Sequence, residues 1–185
     1  MYGVLTLETD AETQYTSFVT VDGTPIPYVN VKTGGTYKDA TLGYSIDLLP
    51  DWKVESQDSY GTLISGDGSK IHIKYTRLAS GADPETELVR LAESQRQSWE
   101  RWTRGWDESE VKSFNRESAD GQDSYWIRYY GHESPGYCDI DVIERVMIAT
   151  HAGDQFGVVL QGSACGSARR FAVQDIDTMI RSFTP

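Results

Sequence analysis

Two long apolar runs joined by a tight turn constrain the fold of this chain more than any other feature. Residues 139–149 are rich in β-branched side chains, and residues 155–161 are strongly apolar. The Ala152-Gly153-Asp154 segment between them is typical of a turn, because glycine and aspartate tolerate the positive φ angles of tight hairpin loops. The two runs therefore predict an antiparallel β-hairpin.

Shorter strands are predicted elsewhere. Residues 42–48 alternate between apolar and polar side chains, and Pro50 ends that strand because proline has no N–H for the ladder. The Gly66-Asp67-Gly68 segment indicates a second hairpin turn. The other predicted strands are residues 4–9, 14–21, 54–57, 61–65, 70–75 and 124–130.

Two helices are predicted, and the first has clear end signals. Asp83 suits the N-cap, Pro84 the first helical position and Gly105 the end. We predict that Trp99 and Trp102 lie in the core, whereas Trp106 is the most exposed of these tryptophans. The predicted apolar face of the first helix consists of Leu88, Leu91, Ala92, Gln95, Trp99 and Trp102, and that of the second of Val173, Ile176, either Met179 or Ile180, and Phe183.

The order strands, helix, strands, helix predicts an α+β fold in which helices sandwich a mostly antiparallel sheet. Alternation is imperfect in several strands, which indicates that both faces of the sheet are at least partly covered. Residues 24–36 contain two prolines and two consecutive glycines and are interpreted as an extended linker. We therefore divide the chain into an N-terminal arm or tail of a preceding domain, residues 1–36, and one α+β domain, residues 37–185.

The composition excludes some classes of partner. The 185 residues include 28 Asp and Glu against 17 Lys and Arg, for a net charge of −11. An acidic protein gains no affinity from releasing the counterions of phosphate groups, so we predict no nucleic-acid partner and no docking to anionic lipid. No run reaches the roughly 20 apolar residues of a membrane helix, and no signal or anchor is recognised in this chain.

The chain has two cysteines, and the predicted hairpin brings them near each other. If Ile148 pairs with Phe156, Cys138 faces Gly166, one residue from Cys165. Because disulfides need Cα atoms within about 6 Å, a small irregularity would allow the bond. A Cys138–Cys165 disulfide implies an extracytoplasmic compartment, meaning secreted, periplasmic or cell-surface. The alternative is two buried free thiols.

No catalytic motif is found. The three histidines have no zinc-binding spacing, and no nucleophile elbow or phosphate loop occurs. Asp139 and Asp141 share one face of a strand near Glu133 and Glu144, so the two carboxylates could share a calcium ion. Solvent-exposed charges at a strand end, which discourage edge pairing, are the preferred interpretation of this cluster. We predict no metal site and no other cofactor. The residues singled out for a ligand or partner surface are Trp106, His132, Asp139 and Asp141.

One stretch resembles a known family. Tyr37, followed by Leu42-Gly43-Tyr44-Ser45-Ile46-Asp47-Leu48-Leu49-Pro50-Asp51-Trp52, is similar to the opening motif of the PsbP-like superfamily. The helix that carries Ile176 and Ile180, followed by Arg181-Ser182-Phe183, is similar to the family's ending. The resemblance is closest to bacterial secreted or lipoprotein members. It implies an antiparallel sheet sandwiched by helices, and binding rather than catalysis.

These observations predict a non-catalytic, extracytoplasmic binding or accessory module of a larger cell-envelope or secreted protein. Its partner would be another protein or a neighbouring domain of the same chain. The alternative is a small ligand-binding or hydrolytic domain that uses carboxylates and aromatic residues at the sheet edge. A pocket lined by such groups would favour this alternative, and a flat surface would favour the module.

Overall fold

The structure is a computed structural model that describes residues 5–7, 14–21, 24–29, 34–39, 42–58, 61–66, 68–119, 121–132, 139–166 and 169–185. These residues form strands and two helices, which we number along the chain. The strands are β1 (Leu5–Leu7), β2 (Gln14–Val21), β3 (Thr24–Val29), β4 (Gly35–Lys38), β5 (Ser45–Leu48), β6 (Lys53–Asp58), β7 (Gly61–Gly66), β8 (Ser69–Arg77), β9 (Glu108–Ala119), β10 (Gln122–His132), β11 (Ile140–His151) and β12 (Asp154–Cys165). The helices are α1 (Pro84–Trp102) and α2 (Arg169–Ser182).

A seven-stranded antiparallel sheet forms the centre of the domain, in the order β6-β7-β8-β12-β11-β10-β9. Helix α1 packs on one face of this sheet, against β10, β11 and β12. Helix α2 packs on the opposite face, together with the β4–β5 hairpin. The predicted α+β sandwich is thus confirmed.

Helix α1 begins where the sequence predicts. The side chain of Asp83 accepts a hydrogen bond from the backbone N–H of Thr86 at 2.9 Å, which satisfies a donor that the first turn leaves open. The helix ends at Trp102, with Thr103 as its C-cap, and Gly105 follows with a positive φ of 92°. The N–H of Thr103 makes the last helical hydrogen bond to the carbonyl of Trp99, and its hydroxyl donates to the same carbonyl. The core on this side contains Leu88, Ala92, Trp99, Ile127, Tyr129, Val142, Val146 and Val159.

The second core lies beneath α2 and is larger. Tyr37, Tyr44 and Trp52 of the resemblance motif are all buried in it, which gives that motif a packing role. Ser45 and Thr184 exchange backbone hydrogen bonds of 2.8 and 2.9 Å, so the residues after α2 are joined to β5. No helix in the described part of the chain is long and apolar enough to cross a membrane.

The pairing of the central hairpin differs from the prediction by one residue. Ile148 pairs with Gly157, not with Phe156, and Cys165 lies opposite Ile140. Consecutive residues from Val142 to Met147 are buried, because α1 and α2 cover the two faces of β11. When both faces are covered, apolar alternation no longer selects one pairing over its neighbour.

Two other expectations about strands were wrong. The segment predicted as a linker contains β3, whose prolines are tolerated because β3 lies at the edge of the β1-β2-β3 sheet. Strand β9 was not predicted. It is the outer strand of the main sheet and is mostly exposed and polar, so it lacks the apolar alternation that identifies a strand. Strand β4 starts at Gly35, two residues before the predicted start of the domain at Tyr37. The division into an arm and one domain stays a prediction.

Helix α2 packs closely on the sheet because β12 has a glycine beneath it. A Cβ atom at Gly162 would lie well inside contact distance of the Cγ2 methyl of Ile176. Ile176 is 1% exposed and therefore has no space into which it could withdraw. The absence of a side chain at Gly162 thus sets the distance between α2 and the sheet.

We expect Gly162→Ala to lower the free energy of unfolding by about 1 to 3 kcal/mol, because the added methyl overpacks the α2 core. Ile176→Ala alone should cost about 2 to 5 kcal/mol by leaving a cavity. The double variant should lose clearly less than the sum of both, since the new methyl enters the vacated space. Urea unfolding of the four proteins measures this coupling, and additive losses would contradict the proposed contact.

Candidate functional site

The structure brings together three of the four residues singled out from the sequence. Nδ1 of His132, at the end of β10, lies 2.6 Å from Oδ1 of Asp139, just before β11. Asp141 is paired with Tyr130 in the ladder and so lies on the same sheet face as His132. Trp106 packs over Gly131, whose position in the strand places it on the opposite face. The four residues therefore do not form one site.

The predicted exposure of the tryptophans was wrong for two of the three. Trp99 is buried as expected, but Trp102 is 57% exposed and Trp106 is partly buried. After α1 ends at Trp102, the chain turns and carries Trp106 onto the sheet. Gly131 makes room for it, because a Cβ there would lie 2.6 Å from the Trp106 ring.

The carboxylates considered for calcium do not converge. Glu144 lies opposite Ile127 in the ladder and faces α1, whereas Asp141 faces the α2 side. Glu133 lies outside the described residues. Among the residues that the structure describes, no group of three or more His, Cys, Asp or Glu side chains could hold a metal ion.

A cleft between α1 and the sheet gathers a different set of side chains. It has a volume of about 310 Å³, opens to solvent, and is called the α1 cleft below. Its floor is formed by residues of β8, β11 and β12, and one wall by the last turns of α1. The lining residues are Lys74, Gln95, Ser98, Trp99, Trp102, Ile140, Val142, Glu144, Gln161 and Ser163.

Glu144 is the buried acid of the α1 cleft and is 2% exposed. Its Oε2 accepts a hydrogen bond of 3.0 Å from the hydroxyl of Tyr129, and its Oε1 accepts one of 2.6 Å from Nε2 of Gln161. Burial raises the pKa of Glu144 to about 6, although these two donors lower it. Burial and the adjacent carboxylate also raise the pKa of Tyr129, so its phenol stays protonated and donates.

Gln161 connects the buried acid to a cation at the cleft surface. Its amide N–H donates to Glu144, and its Oε1 accepts a hydrogen bond of 3.1 Å from Nζ of Lys74. Because both ends of the amide are used, its orientation is fixed. A negative and a positive group are thus held in the same cleft without direct contact.

Trp99, Trp102 and Trp106 pack against one another at the C-terminal end of α1, beside the cleft. Trp99 stacks on Tyr129 with ring centroids 4.8 Å apart. Trp102 contacts Trp99 at 5.4 Å and Trp106 at 4.9 Å, in both cases with strongly inclined rings. The Trp102 indole is therefore fixed in orientation while it remains exposed to solvent.

A wider depression of about 420 Å³ adjoins the α1 cleft at Lys74, over β6, β7 and β8. It is more open to solvent, and the described residues that line it include no tryptophan. His72 lies within it, and partial burial followed by the charges of Lys74 and Lys70 lowers the pKa of this histidine. The smaller α1 cleft combines buried polar groups with aromatic side chains and is the better candidate site.

Sequence reasoning named Glu144 only as a neighbour in the carboxylate cluster considered for calcium, and missed it as the buried acid of a cleft. The available signal was a charged pair, Glu144-Arg145, inside a run of apolar residues in the strand. Charged side chains are rarely buried unless they are paired or functional, so a charged pair within a buried strand indicates a candidate site residue.

We expect Glu144 to make stability depend on pH in a way that Glu144→Gln removes. A folded-state pKa near 6, against 4.5 for an ordinary glutamate, means that protonated Glu144 stabilises the fold below pH 4.5. This contribution is lost as the pH rises through 6 and amounts to about 2 kcal/mol. The stability of Glu144→Gln relative to the wild type should therefore rise by that amount between pH 4 and pH 7.

Urea unfolding at several pH values measures this difference. Glu55→Gln, in strand β6, is measured in parallel as the same substitution at a glutamate that does not line the α1 cleft. If the curve for Glu144→Gln ran parallel to the wild-type curve, Glu144 would not be the buried titrating group.

Sequence comparisons find no relative, because no protein-family model and no curated protein matches the chain. Solved structures do match. The solution structure of cyanobacterial PsbP (CyanoP) from Synechocystis sp. PCC 6803 aligns with a TM-score of 0.62 at 13% identity, over 83% of this chain and 93% of that one. LpqN of Mycobacterium tuberculosis, described as involved in cell envelope biogenesis, aligns with a TM-score of 0.57 at 12% identity, over 82% and 90%.

The Ran-binding protein Mog1p of Saccharomyces cerevisiae has the same architecture. It aligns with a TM-score of 0.51 at 11% identity, over 83% of this chain and 96% of its own. At such low identity, these likenesses establish the fold and not the function. The resemblance found in the opening motif is therefore confirmed at the level of structure, and the chain has the PsbP-like fold.

Proposed function

We propose that this protein is a non-catalytic binding module that acts outside the cytoplasm and holds a polar ligand in the α1 cleft. The observation that carries the proposal is the exposed Trp102 beside the buried carboxyl group of Glu144. Ligand sites usually combine aromatic and apolar side chains with a few precisely placed polar groups. The cleft thus favours ligand binding, although its polar groups differ from those singled out in the sequence.

The geometry of Glu144 supports binding rather than catalysis. Both carboxyl oxygens already accept hydrogen bonds from fixed donors, so the group is held as a polar anchor. No histidine is among the described residues that line the cleft. The His132–Asp139 pair lies on the other sheet face and therefore cannot exchange protons with a ligand bound there.

One structural similarity and one further proposal support a location outside the cytoplasm. LpqN, which shares the fold, is described as involved in cell envelope biogenesis. The second is the proposed Cys138–Cys165 disulfide, although Cys138 lies outside the described residues. Cys165 ends β12 and pairs with Ile140 of β11. Ile140 follows Cys138 by two residues in the sequence. Gly166, at φ 82°, then turns the chain, and its N–H donates to the carbonyl of Asp139 at 3.3 Å.

We expect the purified, unreduced protein to show no reactive thiol after unfolding in guanidinium chloride. The measurement is titration with a thiol reagent, with a sample reduced beforehand as the control that should give two thiols. Proteolysis and mass spectrometry without reductant should then yield one linked peptide containing Cys138 and Cys165. Two thiols in the unreduced sample would refute the disulfide and remove one support for the location.

The binding proposal is tested by following the indole N–H signals of the tryptophans by NMR. Probes of four classes are titrated: neutral sugars, amines, carboxylates and short peptides. We expect at least one class to shift the signals of Trp99 and Trp102 saturably. The signals of Trp52 and Trp126 are internal controls, because both side chains lie in the α2 core on the other face of the sheet.

Trp102→Ala should weaken the binding followed through the Trp99 signal at least tenfold without lowering the melting temperature strongly, since the Trp102 side chain is mostly exposed. If no class of probe shifts Trp99 or Trp102, the proposed site is wrong. Turnover of a bound probe would overturn the non-catalytic assignment while leaving the site in place.

A protein partner, or a neighbouring domain of the same chain, is the second candidate. It is favoured by the description of Mog1p, which shares this fold, as a Ran-binding protein. A partner would then insert a side chain into the α1 cleft, and the short-peptide probes represent this case. The net charge of −11 supports the exclusion of nucleic acid.

A further inference from the structure

We propose that the ligand of the α1 cleft is a neutral saccharide, with one sugar ring packed against Trp102 and its hydroxyl groups bound by the floor of the cleft. This inference rests on the proposed function and specifies its ligand. It is drawn from three properties of the cleft: the balance of its charges, its supply of hydrogen-bonding groups and the fixed tryptophan at its edge.

The charges of the cleft favour a neutral ligand. Glu144 and Lys74 lie at the two ends of the hydrogen-bonded series that passes through Gln161. A cationic ligand near Glu144 would also meet the ammonium group of Lys74, and an anionic ligand near Lys74 would meet the carboxylate. A neutral molecule that both donates and accepts hydrogen bonds is compatible with both ends.

The other polar groups suit hydroxyl groups. Gln95, Ser98 and Ser163 line the cleft, and none of them makes a side-chain hydrogen bond within the described part of the chain. An amide offers donors and an acceptor, and a serine hydroxyl does both. Sugar hydroxyls also both donate and accept, so amide, hydroxyl, carboxylate and ammonium groups around one cleft match a ring that carries several of them.

The tryptophan supplies the apolar part of the site. A pyranose ring presents C–H groups on its faces and hydroxyls around its rim, so it can pack on an indole and keep its polar groups free. Trp102 is 57% exposed, yet its contacts with Trp99 and Trp106 fix its orientation. A preorganised ring loses little conformational entropy when a ligand binds.

The size of the cleft limits the ligand. A volume of about 310 Å³ is near the lower end of the range for small-molecule sites. This accommodates one sugar ring, and a longer saccharide would continue into solvent or toward the wider depression that adjoins the cleft at Lys74. We therefore expect a single strong subsite rather than an extended series.

The test is an NMR titration of the full chain with methyl glucoside, methyl galactoside and methyl mannoside. The β-linked disaccharides of glucose, galactose and mannose are titrated in the same way. Butylamine, acetate and a short neutral peptide are titrated in parallel as cationic, anionic and peptide probes. We expect at least one neutral sugar to shift the indole signals of Trp99 and Trp102 saturably, and to bind at least tenfold more tightly than the other three classes.

Variants identify the groups responsible. Trp102→Ala should weaken binding of that sugar at least tenfold, and Gln95→Ala, a smaller change on the same helix, should weaken it severalfold. Val89→Ala is the matched control, because Val89 is exposed on α1 but does not line the cleft, and it should bind like the wild type. Equal melting temperatures show that each variant is folded.

The outcomes separate the two proposals. If the amine, acetate or peptide shifts the indole signals saturably and no sugar shifts them, the saccharide inference is wrong and the binding site stays in place. No saturable shift with any probe would overturn both. Sugar binding that Trp102→Ala leaves unchanged would place the sugar elsewhere on the protein and overturn the inference.

Discussion

The burial of β11 on both faces is the constraint on which the rest of the structure depends. Because side chains alternate across a strand, the adjacent charges Glu144 and Arg145 enter opposite cores, and each must find partners on its own side. Glu144 receives two donors under α1. Arg145 stacks on Trp126 at 5.5 Å and donates to the carbonyl groups of Ile180 and Phe183 at the end of α2. One strand thus supplies the buried acid of the α1 cleft to one layer, and to the other a cation that donates to carbonyl groups at the end of α2.

Much of this fold was predictable because its local signals agree with one another. The N-cap at Asp83, the turn at residues 152–154 and the motif around Trp52 each combine a backbone requirement with residues that meet it. Strand β9 was missed because an exposed edge strand needs no apolar face. The central pairing was off by one residue because two covered faces make neighbouring registers equally apolar.

The candidate site was less predictable than the fold, and for a different reason. Its members come from α1, β8, β11 and β12, so nothing in their sequence spacing connects Trp102 with Glu144 or Lys74. The exposure of Trp102 was missed because its three-residue spacing from the buried Trp99 predicts that both lie on one helix face. His132 and Asp139 do meet, as neighbours across a hairpin can, but they lie on the face of the sheet opposite the cleft.

The pair of backbone hydrogen bonds between Ser45 and Thr184 has a consequence for the order of folding. A nascent chain leaves the ribosome from its N-terminal side, so β4 and β5 emerge early without the partner that joins them to the rest of the domain. The contact is among the longest in sequence separation that the fold makes, and loop closure of this kind slows folding. The bridge between β5 and the C-terminal segment therefore forms only after synthesis has passed Thr184, although β4 and β5 can pair with each other earlier.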